Sequence, residues 1–343
     1  MQAVILAAGK STRTYPLTLT RPKPLLKVAN KTLLEISLDN LSGIVEEAII
    51  VVGYKKEMIT KKFGNEYKSI KLKYAEQKQQ RGTGNAVLAA EPFIKNKFIL
   101  LMGDDIYQKS DIKKCSKFDY SILVSKVENP ENFGVVLEKK GILIDFFEKP
   151  KSFVSNLANT ALYVLDSRIF QKLKQLKKTE RNEFELPDAI KMISRTHEIH
   201  CVKTTNWAPV AYPWDLLKTD RKLRRKESIV GRNSKIFGTV SNSTIGDDCL
   251  IKGIVKDSII MDGAVVDEGS IVENSVIGNN AYFKGKIFAR NVYSLVKGKK
   301  INAGKIGAII GDNCMLENVR INPGCKTNPG TKIKNQRIEH DVE

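Results

Sequence analysis

Ala3-Val4-Ile5-Leu6-Ala7-Ala8-Gly9-Lys10-Ser11-Thr12-Arg13, followed by Arg21-Pro22-Lys23-Pro24-Leu25-Leu26, is the stretch from which the fold is read. Its apolar residues make a buried strand, which runs through a small-residue turn into a cationic loop and a proline-punctuated return. A parallel strand ending in such a loop brings backbone N–H groups and positive charge to the carboxyl edge of a sheet, where open α/β sheets take their ligands. Arg13 offers a planar fork for phosphate oxygens, and Lys23 a point charge. Pro22 and Pro24 hold Lys23 in extended backbone. Gly9-Lys10-Ser11 imitates the end of a P-loop, but that motif needs a glycine five residues before its last one, and position 4 is Val4.

Outward from this stretch the chain alternates strand and helix. Strands are expected at Ala3–Leu6, Ala48–Val52, Ile70–Ala75 and Phe98–Met102. Helices are expected at Lys31–Leu41, Lys55–Phe63 and from Gly84 to Ala90. The alternation predicts a doubly wound, mostly parallel sheet. From Tyr120 to Leu165 the chain is strand-rich. A helix follows at Ala189–Ser194, and Lys218 to Lys226 reads as one helix with a basic outer face.

Composition narrows the class. The formal charge is +19, from 57 Lys and Arg against 38 Asp and Glu. Such an excess favours anionic partners, but the lysines are spread along the chain without interleaved aromatics, so a specific nucleic-acid surface is not expected. No apolar run approaches the roughly 18 to 20 residues that span a bilayer. The opening residues lack a basic leader, which reads as cytoplasmic. Cys115, Cys201, Cys249, Cys314 and Cys325 have no CxxC spacing and read as reduced, mostly buried thiols. His197 and His200 lack a third ligand and read as surface or packing residues.

Further polar landmarks follow the strands. Gln77 closes one, and Arg81-Gly82-Thr83-Gly84 opens a helix, a setting suited to a base edge and phosphate. Gly103-Asp104-Asp105 places carboxylates at the sheet edge, where Mg²⁺ takes one or two plus substrate phosphates. Asn132-Phe133-Gly134-Val135, Phe147-Glu148-Lys149-Pro150 and Asn159-Thr160-Ala161-Leu162-Tyr163 add a close-approach glycine, an acid beside a base, and amide and hydroxyl groups.

These motifs together resemble the sugar-1-phosphate nucleotidylyltransferases, whose pattern is Leu-Ala-Ala-Gly-x-Gly-Thr-Arg with a later Pro-Lys. The resemblance implies a Rossmann-like nucleotidyltransferase domain in which Leu6, Ala7, Ala8, Gly9, Gln77, Gly82 and Thr83 bind the nucleotide. It implies that Gly134, Glu148, Lys149, Asn159 and Thr160 bind the sugar phosphate, and that Arg13, Lys23, Asp104 and Lys149 carry catalysis with Mg²⁺ on Asp104. The sequence departs from the family pattern at Ser11 and Ala161, where glycine is usual; Ala161 is expected to narrow the sugar pocket. A further departure lies in Trp207-Ala208-Pro209-Val210-Ala211. Pro209 stands where the family has a second metal aspartate, and Ala211 where it has glycine. Asp215 either takes over the metal or sits in the first turn of the following helix, where its charge is favourable.

Beyond Lys226 apolar pairs alternate with Gly, Asn and Asp at a period near six: Ile245-Gly246-Asp247-Asp248, Val276-Ile277-Gly278-Asn279, Ile310-Gly311-Asp312-Asn313. That period predicts a hexapeptide parallel β-helix. The domains are thus expected at 1–226 (nucleotidyltransferase), 227–338 (β-helix) and 339–343 (charged tail), with the repeats fading after Pro329. The order of domains resembles bifunctional uridylyltransferase/acetyltransferases and their archaeal relatives, which implies a left-handed β-helix and a trimer-based homo-oligomer. Acetyl transfer wants a general base. The only histidine beyond Lys226 is His340, so the second domain reads as structural or regulatory.

The function that the resemblance implies is nucleotidylyl transfer from UTP or dTTP to glucose 1-phosphate or N-acetylglucosamine 1-phosphate. Its rivals are a non-catalytic regulatory relative that binds nucleotide sugar, and a mannose-1-phosphate guanylyltransferase.

Overall fold

A computed structural model describes residues 1–179, 182–225 and 227–342. The chain divides into two compact units. One comprises Met1–Gly9 with Leu34–Pro209, the other Lys10–Leu33 with Val210–Glu343. This differs from a single cut at 226, because residues 10–33 return to pack with the chain beyond Val210. Lys226, taken as that boundary, lies outside the described residues, as does Glu343 at the end of the tail.

The first unit is built on a ten-stranded sheet. Its main strands are β1 (Gln2–Ala7), β2 (Glu47–Val52), β3 (Ile70–Glu76), β4 (Phe98–Met102), β5 (Ser121–Lys126), β6 (Gly134–Lys139), β7 (Ile142–Glu148), β8 (Leu157–Leu165) and β9 (His200–Thr204). From the Glu66–Tyr67 edge the order is β3-β2-β1-β4-β8-β5-β9-β7-β6. The β3-β2-β1-β4 half is parallel throughout, as a doubly wound sheet requires. Beyond it β8 runs antiparallel to β4 and β5, and β7 antiparallel to β6. β1 is central, and Ala3, Val4 and Ile5 are fully buried. Apolar residues on both of its faces let parallel neighbours and helices cover it. Helices α1 (Leu33–Leu41), α2 (Lys56–Phe63), α3 (Thr83–Ala89), α4 (Lys109–Cys115), α5 (Arg168–Lys174) and α6 (Leu186–Ser194) supply the crossovers and cover. Leu173, Leu186, Ile190 and Ile193 join the core with Val4, Ile49 and Leu100. His200 stacks on Phe118 with ring centroids 4.1 Å apart, and His197 tilts against Tyr120, so both pack as expected.

In the second unit Lys27–Val28 and Lys31–Thr32 form a small antiparallel ribbon, and α7 (Asp215–Arg224) leads into the coils. The coils have three parallel faces. Inward side chains stack in unbroken columns: Ile245, Ile260, Ile277 and Ile310 on the first face, and Ile236, Ile251, Val266, Phe283 and Leu316 on the second. Val240, Val255, Val272, Ile287, Ile321 and Ile338 stack on the third. This is the parallel β-helix that the repeats predict, but its step is uneven. First-face partners lie 15 residues apart for Ile229, Thr244 and Ile259, then 17 to Val276, 33 to Ile309 and 17 to Lys326. The short steps arise where only Phe237-Gly238 or Lys252-Gly253 joins the second face to the third; the longer one has Asp267 to Ser270 there. The 33-residue step carries a hairpin, Arg290–Val296 with Lys299–Ile306, turned by Lys297-Gly298 with φ of 50° and 74°. Two successive positive φ values are what a two-residue hairpin turn demands.

The coils do not fade after Pro329. Lys332–Lys334 and Arg337–Ile338 continue the second and third faces. Val342 bridges Thr327, and Lys326 pairs with Asp341, so residues 339–342 begin another coil rather than form a free tail. All five cysteines are free, and four are buried. No helix among the described residues is long and apolar enough to cross a membrane.

Candidate active site

The first unit presents its candidate residues where strands end. Leu6, Ala7 and Ala8 are buried at the end of β1, and Gly9 is exposed. The Ala8 carbonyl accepts from the Tyr54 N–H at 3.0 Å and from Gln80 Nε2 at 2.8 Å. Gln80 had no individual signal, being one of several polar residues in the 77–80 turn. Gly103 follows β4 with its N–H on the Leu6 carbonyl, which fixes the start of the next turn beside β1. Asp104 is half-buried in that turn. The neighbouring Asp105 accepts from the Trp207 indole at 3.0 Å, and Ile106 pairs with Ala208. Phe133 meets Trp207 edge-on, 5.6 Å between centroids.

Gln77 is buried and donates from Nε2 to the Gly82 carbonyl and to Asn85, both at 3.1 Å. Its amide thus shapes the turn that opens α3. Gly82 has φ of 93°, and a Cβ there would lie 2.6 Å from the Phe184 carbonyl, so the chain tolerates nothing larger. Thr83 accepts the Leu186 N–H at 3.0 Å, and its hydroxyl therefore serves the start of α6.

On the antiparallel side Gly134 lies opposite Glu148. A Cβ on Gly134 would stand 2.8 Å from Glu148 Oε2, so the glycine is what lets this carboxylate lie over the strand. Glu148 and Lys149 are exposed, and Lys149 leaves β7 with φ of 46° and its N–H on the Phe133 carbonyl. Asn159 is half-buried; it donates to the Tyr163 hydroxyl at 2.6 Å and accepts the Ala161 N–H at 2.8 Å. The strand register breaks between Asn159 and Tyr163.

One expectation is corrected at this break. Thr160 is fully buried and its hydroxyl donates to the Leu123 carbonyl at 2.8 Å, so its side chain does not line a pocket. The bulge turns it inward. Ala161 has φ of 58° and packs against the core. Glycine suits that position for its backbone.

The second unit carries Arg13, Lys23 and Asp215. Arg13 is exposed, and its guanidinium lies 5.9 Å from the centre of the Tyr212 ring, a partner the sequence did not announce. Ser11, another departure from glycine, has φ of 51°. Its carbonyl accepts from the Thr14 and Thr18 hydroxyls at 2.6 and 2.9 Å, which tightens the loop. Lys23 is buried between Pro22 and Pro24, and it opens a 3-10 turn, Lys23–Leu25, closed by the Leu26 N–H on its carbonyl, so the extended backbone expected of it falls on Pro22 instead. Asp215 opens α7, and its Oδ2 accepts the N–H groups of Ala211 and Tyr212 at 2.8 and 2.7 Å. Burial pushes its carboxyl above the usual range, while those two N–H groups and the charges of Lys23 and Lys218 pull it back. Asp215 thus stands in the first turn of α7 and fastens the loop before it, at Ala211 and Tyr212, to the helix.

Asp104 is the hard oxygen donor Mg²⁺ takes, and a half-buried carboxylate at a strand end fits an ion that draws further ligands from substrate phosphates. Among the described residues no three His, Cys, Asp or Glu side chains converge on one point.

A family model for nucleotidyl transferases matches residues 2–226. The bifunctional protein GlmU of Methanococcus maripaludis strain C7 is 33% identical over an alignment that covers all of this chain and 96% of that protein. Against the GlmU of Methanocaldococcus jannaschii, 36% identical, the chain spans only 58% of the relative's length. The UTP–glucose-1-phosphate uridylyltransferase AglF of Haloferax volcanii is 33% identical over 66% of this chain and 98% of its own. Among solved structures, a UDP-glucose pyrophosphorylase complexed with UDP-glucose superposes with a TM-score of 0.59 at 23% identity, over 66% of this chain and 99% of that one. That likeness concerns the fold alone.

Proposed function

The chain belongs to the nucleotidyl transferase family, and from that premise we propose that it transfers a nucleotidyl group from UTP or dTTP to glucose 1-phosphate or N-acetylglucosamine 1-phosphate, releasing pyrophosphate. The observation that carries the acceptor side is the end of β7. There Glu148, let in by Gly134, can accept from a sugar hydroxyl, and the adjacent Lys149 can hold the sugar phosphate. The archaeal relative AglF, named for UTP and glucose 1-phosphate, supports the substrate class.

In the proposed reaction a phosphate oxygen of the sugar 1-phosphate attacks the α-phosphorus of the triphosphate. The bond from that phosphorus to the bridging oxygen of the β-phosphate breaks, and pyrophosphate leaves with the electron pair. The nucleophile belongs to the substrate, so the residues position it and offset charge. Lys149 presents the attacking phosphate. Arg13 and Lys23 offset the charge of the triphosphate and the departing pyrophosphate. Gln77 and the Gly82 turn bear on the base. Mg²⁺, when bound, would supply counter-charge to the phosphates; Asp104 would hold it, with Asp215 as the second candidate ligand. The five free thiols favour a cytoplasmic setting, and the coil faces are the proposed contact of a trimer-based homo-oligomer.

The test is pyrophosphate release with Mg²⁺ across UTP, dTTP, GTP, ATP and CTP, each against glucose, N-acetylglucosamine, galactose and mannose 1-phosphates. Release is expected with a uridine or thymidine triphosphate and a gluco-configured phosphate, and only when both are present. GTP with mannose 1-phosphate as the best pair would move the assignment to guanylyl transfer. Nucleotide binding without release in any arm would replace the enzyme with a regulatory relative, and Pro209 would be the first residue to restore to aspartate.

A further inference from the structure

The first-face corners of the β-helix repeat one design: an inward isoleucine, one spacer, then a polar residue. They read Ile245-Gly246-Asp247, Ile260-Met261-Asp262, Ile277-Gly278-Asn279 and Ile310-Gly311-Asp312. In three of them one carboxylate oxygen builds the stack, Asp247 Oδ1 taking the Arg232 N–H at 2.8 Å. Asp262 Oδ1 accepts the Asp247 N–H at 3.0 Å, and Asp312 Oδ1 accepts the Asn279 N–H at 2.8 Å. The equivalent residue between them is the neutral Asn279, so the corner does not require a charge. The second oxygens of Asp262 and Asp312 are turned to a different task.

Asp262 Oδ2 takes the Lys27 ammonium at 2.6 Å. Asp312 Oδ2 accepts the Thr20 hydroxyl at 2.5 Å and also pairs with the Arg21 guanidinium. The Arg21–Asp312 pair is withdrawn from water, with side-chain exposures of 12% and 5%. Further along, Asn30 Nδ2 donates to the Ile245 carbonyl at 2.8 Å, and the Ala29 N–H donates to Asp220, which also holds Thr244. The segment from Thr20 to Asn30 is thereby fastened along the column of corners on both sides of Lys23. Pro22 and Pro24 transmit the anchoring, since each fixes its own φ and restricts the residue before it.

We infer that Asp312 and Asp262 of the β-helix are positioning residues for Lys23, so that the coils take part in the transfer reaction by holding the segment that carries its phosphate-binding lysine. This rests on the reading of Lys23 as a triphosphate-binding group. It assigns the second domain a task that needs neither a general base nor a second substrate.

The experiment uses the full chain and pyrophosphate release. Asp262→Asn and Asp312→Asn keep an oxygen for the stacked N–H but drop the charge that holds the segment. The double variant is expected to raise KM for the triphosphate and lower kcat/KM roughly 10- to 100-fold. KM for the sugar phosphate should stay near the parent value. Lys27→Met and Arg21→Met break the same pairs from the segment side and leave the corners whole, and they should reproduce the effect even if the coil variants fold poorly. The exchange Lys27→Asp with Asp262→Lys should restore part of the lost kcat/KM. Wild-type turnover and triphosphate KM in the Asn and Met variants, with Lys23→Ala inactive, would overturn the positioning role alone. Wild-type turnover in Lys23→Ala would overturn the reading of the lysine, and the positioning role with it.

Discussion

Both units bend their chains through left-handed backbone, and they fill those positions with different residues. In the coils the side chains at positive φ are Asn233, Asn242, Asp248, Asp257, Asn274, Asn280, Asn313, Asn318 and Asn335, with Lys297 at the hairpin tip. Asn and Asp tolerate this region because a short polar side chain bonds locally. In the sheet unit the same conformation falls on Lys55, Lys68, Lys140, Lys149 and Ala161, with Asn182 the one amide among the described residues. Lys68 and Lys140 sit in the tight turns before β3 and between β6 and β7. Lys149 and Ala161 have no such excuse, and both adjoin the candidate sugar-phosphate residues. A repeat can afford one cheap solution at each corner, whereas a site keeps the residue its chemistry needs and lets the surrounding structure hold the strain.

Crossed substitutions would break that contrast if it is mistaken. Lys149→Ala is expected to cut kcat/KM for pyrophosphate release about 100-fold or more, as removal of a charge-stabilising donor does, while the thermal midpoint holds. Asn242→Ala should do the reverse. It should cost about 1 kcal/mol of unfolding free energy in denaturant titration, because alanine loses the local bonding that makes left-handed backbone tolerable, and turnover should be unchanged. Asn242→Gly should recover most of that loss. Ala161→Gly should gain about 0.5 kcal/mol, the relief of strain less the entropy of glycine. Activity lost in Asn242→Ala, or kept in Lys149→Ala, would end the division between corners that build and corners that act.

The same contrast governs how much could be read in advance. The sheet's parallel half was legible because Ala3–Leu6, Ala48–Val52 and Phe98–Met102 are continuous apolar runs, which only a strand covered on both faces tolerates. The coils were legible through repetition, although a period near six conceals steps of 15 and 17 residues. Thr160 was misread because a bulge between Asn159 and Tyr163 shifts which face a residue takes, and a bulge leaves no mark in an alternating strand. Ser11 and Ala161 were visible as departures from glycine. The reason for glycine, a φ of 51° and 58°, is a backbone property that the residue types do not display. The pairs made by Arg21 and Lys27 were out of reach for another reason: their acids lie 291 and 235 residues away, and nothing local selects among the acidic corners.

The smallest effect concerns a coil charge satisfied wholly by the stack. Asp267 accepts from Tyr282 one coil above at 2.7 Å and from Lys252 one coil below at 3.3 Å, each 15 residues distant. The tyrosine hydroxyl, then the Glu268 N–H and Lys252, hold its carboxyl down to about 2 from an ordinary 3.8, and the same bond pushes the Tyr282 phenol up to about 12. The folded value lies below the unfolded one, so the stabilisation is fully present above pH 3.8 and is lost as pH falls through 2. Because the pair faces solvent, it is worth less than about 1 kcal/mol. Denaturant midpoints of the parent and Tyr282→Phe should therefore differ most above pH 4 and converge near pH 2, with turnover at neutral pH the same in both. A difference that stays constant across this range would mean that the tyrosine contributes by packing alone. A loss of turnover in Tyr282→Phe would mean that coil corners other than those bearing Asp262 and Asp312 also reach the reaction, and the division between building and acting would then have to be drawn within the β-helix itself.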